Sequence, residues 1–341
     1  MSRLEMNRMP PFIMAEIAQA HDGSLGIAHS YIDALAETGV DAVKFQTHIA
    51  NAESSAHEPF RVKFSYEDET RFDYWRRMEF TADQWAGLKL HCEEKGLEFV
   101  SSPFSCAAVD LLEHLAVRKY KIGSGEVSNL LMLEKIARTG KDIIVSSGMS
   151  SCAELDETIN FIKPFGNNLS LLQCTTAYPT TAGEWGLNMI TALKQRYKLP
   201  TGFSDHSGNI FSCLAAVAMG AEIIEFHAVF DKAMFGPDAQ SSLTIKQVKQ
   251  LVEGARQIST DLHSSSDKSS SENFRELKKI FEKSLAVNKD LKAGEVISLD
   301  DLEAKKPSGQ GIEAKLFREV VGKRLAKNKS AWDFLQPGDL I

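Results

Sequence analysis

The chain has 341 residues, enough for one large domain and a small one. Its 43% apolar and 25% charged residues are ordinary for a folded globular protein, and a net charge of 39 − 46 = −7 argues against a nucleic-acid or acidic-membrane partner while allowing a local basic pocket. No apolar run approaches the roughly 18 residues of a membrane span, and MSRLEMNRMPPFIMAEIA lacks the apolar core and cleavage site of a secretory signal, so a cytoplasmic protein is expected.

Eight strand-then-helix units follow one another along the chain. FIMAEIA (12–18) precedes a helix near 26–38 with an apolar stripe of Ile27, Tyr31, Ala34 and Leu35. DAVKFQT (41–47) is followed by a long excursion, 51–81, and then by a helix near 82–95. EFVSSPF (98–104) leads to CAAVDLLEHLA, striped by Leu111, Leu112 and Leu115; KYKIGS (119–124) leads to NLLMLEKIART, and DIIVSSG (142–148) to CAELDETINFIK. LSLLQCT (169–175) comes before a helix near 187–197. TGFSD and EIIEFHA, with their helices, complete the set. Strands that are continuous apolar runs are buried on both faces. Eight such units in about 250 residues predict a TIM (β/α)8 barrel. A doubly wound open sheet is disfavoured by the count and by the absence of a Gly-rich nucleotide turn after the first strand.

The excursion is too rich in Phe, Tyr and Trp to be disordered, and reads as an ordered loop over the barrel mouth or as a partner-facing arm. After a barrel domain spanning 1–260, the Ser-rich DLHSSSDKSSSE opens a linker and connecting helix over 261–282. Residues 283–341 alternate short runs with turn signals (KAGE, SGQG, QPGD), which predicts a small, mostly β domain of about 60 residues, marginal alone and expected to dock.

In such a barrel the site lies at the C-terminal ends of the strands. The polar residues there are Glu16, Lys44, Gln46, Ser101, Ser102, Lys121, Ser124, Glu126, Ser146 and Ser147 from the first five units. The last three contribute Gln173, Thr175, Thr176, Tyr178, Ser204, Asp205, His206, Glu225 and His227. Lys44 and Lys121 sit in apolar strands, where a cation is costly without an anion. With neighbouring hydroxyls and Gly123, Gly125 and Gly148 they make a phosphate or carboxylate site, or else a structural ion pair such as Lys44 with Glu16. His206 and His227, 227 − 206 = 21 residues apart, end neighbouring strands, with Asp205 and Asp238 nearby; they read as ligands of one divalent cation or as hydrogen-bonded structural residues. The five cysteines lack metal-type spacing and read as free thiols, Cys174 alone near the strand ends.

The segments AEIAQAHDGS, AVKFQTH, SSPFS, YKIGSGE, SSGM, LLQCTTAYP, GFSDHS and EFH…GPD, in this order, resemble the sialic acid synthase family, and KDLKAGEVISLDDLEAKKPSGQG is similar to its C-terminal antifreeze-like (SAF) domain. The resemblance implies a TIM barrel with that domain in a domain-swapped homodimer, the small domain of one chain covering the other's barrel mouth. It also implies condensation of phosphoenolpyruvate with an N-acylated hexosamine and a divalent metal, typically Mn2+, with Mg2+ or Co2+ as substitutes. Carried over by motif, His206 and His227 are the metal ligands; Lys44, Lys121, Ser102, Ser124, Ser147 and Ser204 bind phosphoenolpyruvate; Glu16, Gln46, Tyr178 and Asp238 contact the sugar. Glu126 stands beside the reacting carbons, and either it or Glu16 handles the water that attacks C2.

Three features depart from the family pattern: Thr176 in place of an asparagine and Lys306 in place of an arginine that reaches the N-acyl group from the partner, both of which bear on sugar specificity, and AHDG (20–23) in place of an NHNG-like turn. The expected product is N-acetylneuraminate from N-acetylmannosamine, with a legionaminate or pseudaminate from a 2,4-diacetamido-2,4,6-trideoxyhexose as the alternative. Two further classes compete: a pyruvate aldolase with a Schiff base on Lys44 or Lys121, and a carbohydrate- or ice-binding protein suggested by the small domain.

Overall fold

The computed structural model describes residues 10–62, 64–264 and 268–341. Its elements follow the sequence pattern. The first half runs β1 (Phe12–Glu16), α1 (Leu25–Ala36), β2 (Ala42–Thr47), α2 (Ala50–Glu53), α3 (Arg71–Met78), α4 (Ala82–Glu94), β3 (Glu98–Pro103), α5 (Cys106–His114), β4 (Lys119–Ile122), α6 (Leu130–Ala137) and β5 (Asp142–Ser146). The second half of the barrel runs α7 (Cys152–Ile162), β6 (Leu169–Cys174), α8 (Asn188–Tyr197), β7 (Thr201–Asp205), α9 (Phe211–Ala218), β8 (Ile223–Val229), β9 (Leu243–Thr244) and α10 (Ile245–His263). Strands β1 to β8 pair in sequence order, all parallel, and β1 also pairs with β8, which closes the TIM barrel. Helix starts carry their own signals: Thr81, Ser151 and Thr244 each cap a helix whose third residue, Gln84, Glu154 or Gln247, bonds back to the cap.

Side chains alternate between the two faces of a strand. One set faces the helices and forms the large core, with Ile13, Val43, Phe45, Tyr120 and Phe226 buried in it. The other set fills the barrel. Low in the barrel it is apolar, with Met14, Ala42, Val100, Ile144, Leu172 and Ile223 packed on Phe12. Two residues further along each strand the same face carries Glu16, Lys44, Ser102, Ser146, Cys174 and Glu225. The barrel thus has an apolar floor and a polar upper layer, and period-two geometry decides which residues of each strand belong to the layer.

Two helix stripes differ from expectation. In α1 the buried residues are Ala28, Tyr31, Ile32 and Leu35, with Ile27 only partly covered, and in α5 they are Ala108, Val109 and Leu112. Tyr31, Leu35, Leu112 and Leu115 are buried as the stripes require, while Ile27, Ala34 and Leu111 are only partly covered and Ala28, Ile32, Ala108 and Val109 complete the buried faces.

The excursion after β2 is ordered. Tyr74, Trp75 and Met78 of α3 pack with Ala50 and with Phe60, Phe64 and Phe72 in a small core of their own. The 20–23 turn braces it: Arg77 pairs with Asp22 at 2.6 Å, and Gly23, at φ +77°, has its α-carbon so close to the Arg77 carbonyl that a Cβ would lie 2.4 Å from that oxygen. Buried His21 packs on Phe80 and accepts from Gly23 N; burial, with His48 and Arg77 near, lowers it to about 3.

The chain divides into two compact units, Met1–Ser264 and Ser265–Ile341. Of the Ser-rich stretch, residues 265–267 lie outside the described residues, as do residues 1–9 of the N-terminal segment. The second unit contains α11 (Arg275–Phe281), β10 (Ser284–Val287), β11 (Leu302–Lys305) and α12 (Phe317–Val320). It is less regular than a mostly β reading implies. Its antiparallel β10–β11 pair is supplemented by isolated bridges such as Leu291–Lys329 and Leu325–Leu340, around a core of Leu285, Val287, Ile297, Val320 and Leu335. Among the described residues no helix is long and apolar enough to cross a membrane.

Candidate active site

A cavity of about 430 Å3 opens above the polar layer of the barrel. Strand register sets its chemistry. Glu16 lies level with Lys44 on one side and His227 on the other, Gln46 with Ser102, and Ser204 with both Cys174 and Glu225. The result is a buried charge network. Lys44 Nζ lies 2.5 Å from Glu16 Oε1 and 3.9 Å from Glu225 Oε2. Lys121 Nζ donates to Ser146 Oγ at 2.7 Å and lies 3.3 Å from Glu225 Oε1, which also accepts from Ser204 Oγ at 2.8 Å. All four charged side chains are at most 4% exposed. The ion pair between Lys44 and Glu16 is therefore real, yet both residues also line the cavity.

Ser102 Oγ and Glu225 Oε2 are buried without a hydrogen-bond partner. Buried polar groups are rarely left so, and both belong to residues that line the cavity. Burial pushes the Glu16 carboxyl up, but Lys44, His227 and Lys121 outweigh it and hold the group well below the usual carboxylate range. Glu126 is the opposite case. It lines the cavity from the turn after β4, accepts from Asn129 at 2.8 Å, and burial together with Glu53 raises it above its ordinary value.

The two histidines converge, with ring centroids 5.3 Å apart, and the Tyr178 ring lies 4.2 Å from that of His206. His206 Nδ1 donates to the Thr175 carbonyl at 3.0 Å, so Nε2 is the nitrogen that becomes the lone pair when the ring gives up a proton, the tautomer a metal-ligating histidine adopts. His227 Nε2 faces Glu16 Oε2 at 3.4 Å. Burial lowers His227 and favours the neutral imidazole a ligand needs. For His206 burial also opposes charge, but Cys174 at 3.9 Å and the Thr175 carbonyl raise it to about 9, so a cation binding there displaces a proton. Among the described residues no group of three His, Cys, Asp or Glu surrounds one point. The donors fit a cation held by two imidazoles that takes its other ligands from substrate and water.

The structure brings most of the expected residues together. Glu16, Lys44, Gln46, Ser102, Lys121, Ser124 and Glu126 line the cavity, as do Thr176, Tyr178, Ser204, His206, His227 and Asp238. Gly148 lets Ser124 and Thr176 approach: a Cβ there would lie 2.2 and 2.3 Å from their hydroxyl oxygens. Ser147 does not line the cavity. It falls on the outward parity of β5, where its Oγ accepts from Cys174 N at 3.3 Å, and Ser146 takes the inward position. Lys306 belongs to the second unit, where its ammonium lies 4.9 Å from the Phe281 ring.

Residues that strand-end reasoning missed come mainly from the excursion. Arg61 pairs with Asp238 at 3.0 Å and stacks over the Tyr178 ring at 4.1 Å, and Glu53, Phe64 and Trp75 also line the cavity. The excursion is therefore a wall of the mouth. Gln19 and His48 lie beyond the ends of their strands and were not singled out. All five cysteines are free.

The chain matches the NeuB family over residues 31–291 and the SAF domain over residues 282–341. The chain belongs to the NeuB family. It is 37% identical to an N,N'-diacetyllegionaminic acid synthase of Campylobacter jejuni over 93% of this chain and 96% of that one. It is 31% identical to the N-acetylneuraminate-9-phosphate synthase of Homo sapiens over 93% and 89%. A crystal structure of an N-acetylneuraminic acid synthetase from Leptospira borgpetersenii, in complex with citrate, superposes with a TM-score of 0.70 at 29% identity, covering 79% of this chain and 90% of that one. As a NeuB protein with a TIM barrel and a SAF domain, the chain is an enzyme of the nonulosonic acid synthases, which condense phosphoenolpyruvate with an amino sugar.

Proposed function

We propose that this enzyme condenses phosphoenolpyruvate with an open-chain N-acylated hexosamine, releasing phosphate and forming a nine-carbon nonulosonic acid. The observation that carries the reading is the buried network of Lys44, Lys121, Glu16 and Glu225 beneath a cavity whose lining residues Ser102 and Glu225 each keep a buried oxygen without a hydrogen bond. Two ammonium groups with adjacent hydroxyls suit the carboxylate and phosphate of one small anion. Tying both lysines to carboxylates is a poor setting for the free amine that a Schiff base needs.

In this mechanism Lys44, Lys121, Ser102, Ser146 and Ser204 seat phosphoenolpyruvate. Gln46, Tyr178, Asp238 and Arg61 face the sugar, and Ser124 and Thr176 fill the wall between. C3 of the enol attacks the aldehyde carbon, forming the new C–C bond and an alkoxide that takes up the proton released by the attacking water. Water adds to C2 as positive charge develops there, and the tetrahedral carbon expels phosphate by C–O cleavage. Of the two candidate bases, Glu126 is the better: a raised carboxyl accepts a proton more readily than Glu16, whose charge is held by Lys44. A divalent cation, with Mn2+ the first choice, would be held by His206 and His227 and would polarise the aldehyde oxygen as a Lewis acid. Lys306 belongs to a domain-swapped homodimer in this reading.

For the sugar, the greater identity to the diacetyllegionaminic acid synthase makes a 2,4-diacetamido-2,4,6-trideoxyhexose the first choice and N-acetylmannosamine the second. The test is phosphate release from phosphoenolpyruvate with each sugar, with Mn2+ and with EDTA. Release that requires both metal and sugar supports the reading, and the larger kcat/KM identifies the sugar. Release with no hexosamine overturns it.

A further inference from the structure

His48 and Glu53 belong to none of the roles above, yet they are placed with unusual care. His48 follows β2, is 3% exposed, and is sandwiched between Trp75 of α3 (centroids 4.0 Å apart, planes at 18°) and Phe104 (4.6 Å, 14°). Its Nδ1 lies 2.6 Å from Glu53 Oε1. A carboxylate only accepts, so Nδ1 carries the proton and Nε2 of the neutral ring is a lone pair. Gln19 Nε2 donates to it at 2.9 Å. The second hydrogen of the same Gln19 amide goes to Gln46 Oε1, and Gln46 Nε2 donates to Glu16 Oε1 at 2.6 Å. In the assignment these contacts favour, Glu53 accepts from His48, His48 and Gln46 both accept from Gln19, and Glu16 accepts from Gln46; His48 Nε2 and Gln46 Oε1, 3.2 Å apart, converge on the one Gln19 amide. Reversing the Gln19 amide would set its oxygen against both the His48 lone pair and the Gln46 carbonyl.

We infer that the His48–Glu53 pair is a positioning unit for the sugar: through Gln19 it fixes which end of the Gln46 amide faces Glu16 and which lone pair and N–H remain for a substrate hydroxyl. This rests on the condensation reading for the identity of the sugar. Without the Nε2 acceptor, the Gln19 amide loses one of its two acceptors and can swing away from Gln46 Oε1, which leaves the Gln46 amide anchored at Glu16 alone and less well placed. A misplaced hydrogen-bonding group near the reacting carbon costs roughly 10- to 100-fold in rate. Lys121 holds different partners, Ser146 and Glu225, and Lys44, which shares Glu16 Oε1 with Gln46, keeps its own ion pair when the Gln46 amide shifts, so KM for phosphoenolpyruvate should hold.

The two conservative amides separate this role from packing. His48→Gln places an oxygen where Nε2 stood and keeps the acceptor; His48→Asn places an amide where Nδ1 stood and keeps only the bond to Glu53. Steady-state kinetics of both, of His48→Ala and of wild type, with thermal melts alongside, give the test. The expected result is a loss of roughly 10- to 100-fold in kcat/KM for the sugar in His48→Asn and His48→Ala, with KM for phosphoenolpyruvate unchanged and most of the activity retained in His48→Gln. Equal losses in all three that follow their melting temperatures, or a matching shift in KM for phosphoenolpyruvate, overturn the inference while wild-type turnover still supports the condensation. Absence of turnover by wild type with every hexosamine overturns the condensation and this inference with it.

Discussion

Replacing Lys121 by methionine keeps the unbranched side chain to within one atom of its length and removes its charge. Lys121 and Glu225 stand 3.3 Å apart, each 3% exposed. At an effective dielectric constant near 20 their attraction is 332/(20 × 3.3), about 5 kcal/mol. Ser204 at 2.8 Å and Lys44 at 3.9 Å still face Glu225 after the change, so the loss should fall toward the lower end of the about 3–5 kcal/mol typical of breaking a buried pair. The second substitution, Glu225→Gln, removes the stranded anion. A buried pair replaced on both sides by neutral groups is often nearly neutral in stability, so Lys121→Met/Glu225→Gln should regain most of what Lys121→Met loses in chemical denaturation. Activity should not follow. The phosphoenolpyruvate anion loses one of its two cations in both variants, and kcat/KM for it should fall by about 10²–10³-fold in each. Stability and phosphate release measured on wild type, both single variants and the double variant form a complete cycle. A double variant that turns over phosphoenolpyruvate within tenfold of wild type would show that Lys121 is a structural ion-pair residue.

Glu126→Gln should lower kcat and abolish the acid limb of the pH–rate profile. In wild type that limb should inflect above the ordinary carboxylate value of 4.5, because activity needs the ionised form and is lost as pH falls through a raised pKa. The same raised pKa means that ionising Glu126 costs stability at neutral pH, so Glu126→Gln should be at least as stable as wild type there; a marked destabilisation would count against the assignment. Glu16 works in the other sense. Its lowered pKa contributes stability that is complete above the unfolded value and lost as acid titrates it, so Glu16→Gln should flatten the decline of stability below about pH 4. His206→Ala should abolish Mn2+ binding measured by calorimetry and with it phosphate release, leaving the melt unchanged in EDTA; full activity would remove His206 from the ligand set.

The barrel was legible because parallel strands buried on both faces leave a simple signal, and the strand limits moved by only one or two residues. The polar layer was legible for the same reason, since a barrel puts its chemistry at one end of every strand. What strand ends alone did not resolve was parity. Ser146 and Ser147 look alike in DIIVSSG, but counting in twos from Ile144, which packs in the apolar floor, makes Ser146 the inward residue and Ser147 the outward one. The same count from Ile223 gives Glu225 and then His227, and so assigns Glu225 to the network that spans both lysines. The excursion is a different problem. Arg61, Glu53 and Trp75 reach the cavity through a loop and two short helices whose path is set by a local aromatic core and by Arg77 gripping the 20–23 turn, contacts that no residue period encodes. His48 shows the boundary between the two cases. It sits one residue past β2, where parity has ceased to hold, and its place is fixed by two aromatic rings, one of them from the excursion. The strands therefore determine the polar layer at the base of the cavity, and the excursion shapes its wall; in the proposed reaction the first meets phosphoenolpyruvate and the second the sugar. Differences in sugar preference between enzymes with this floor should accordingly map to the excursion, and exchanging residues 51–81 between two of them should move the preferred sugar without changing KM for phosphoenolpyruvate.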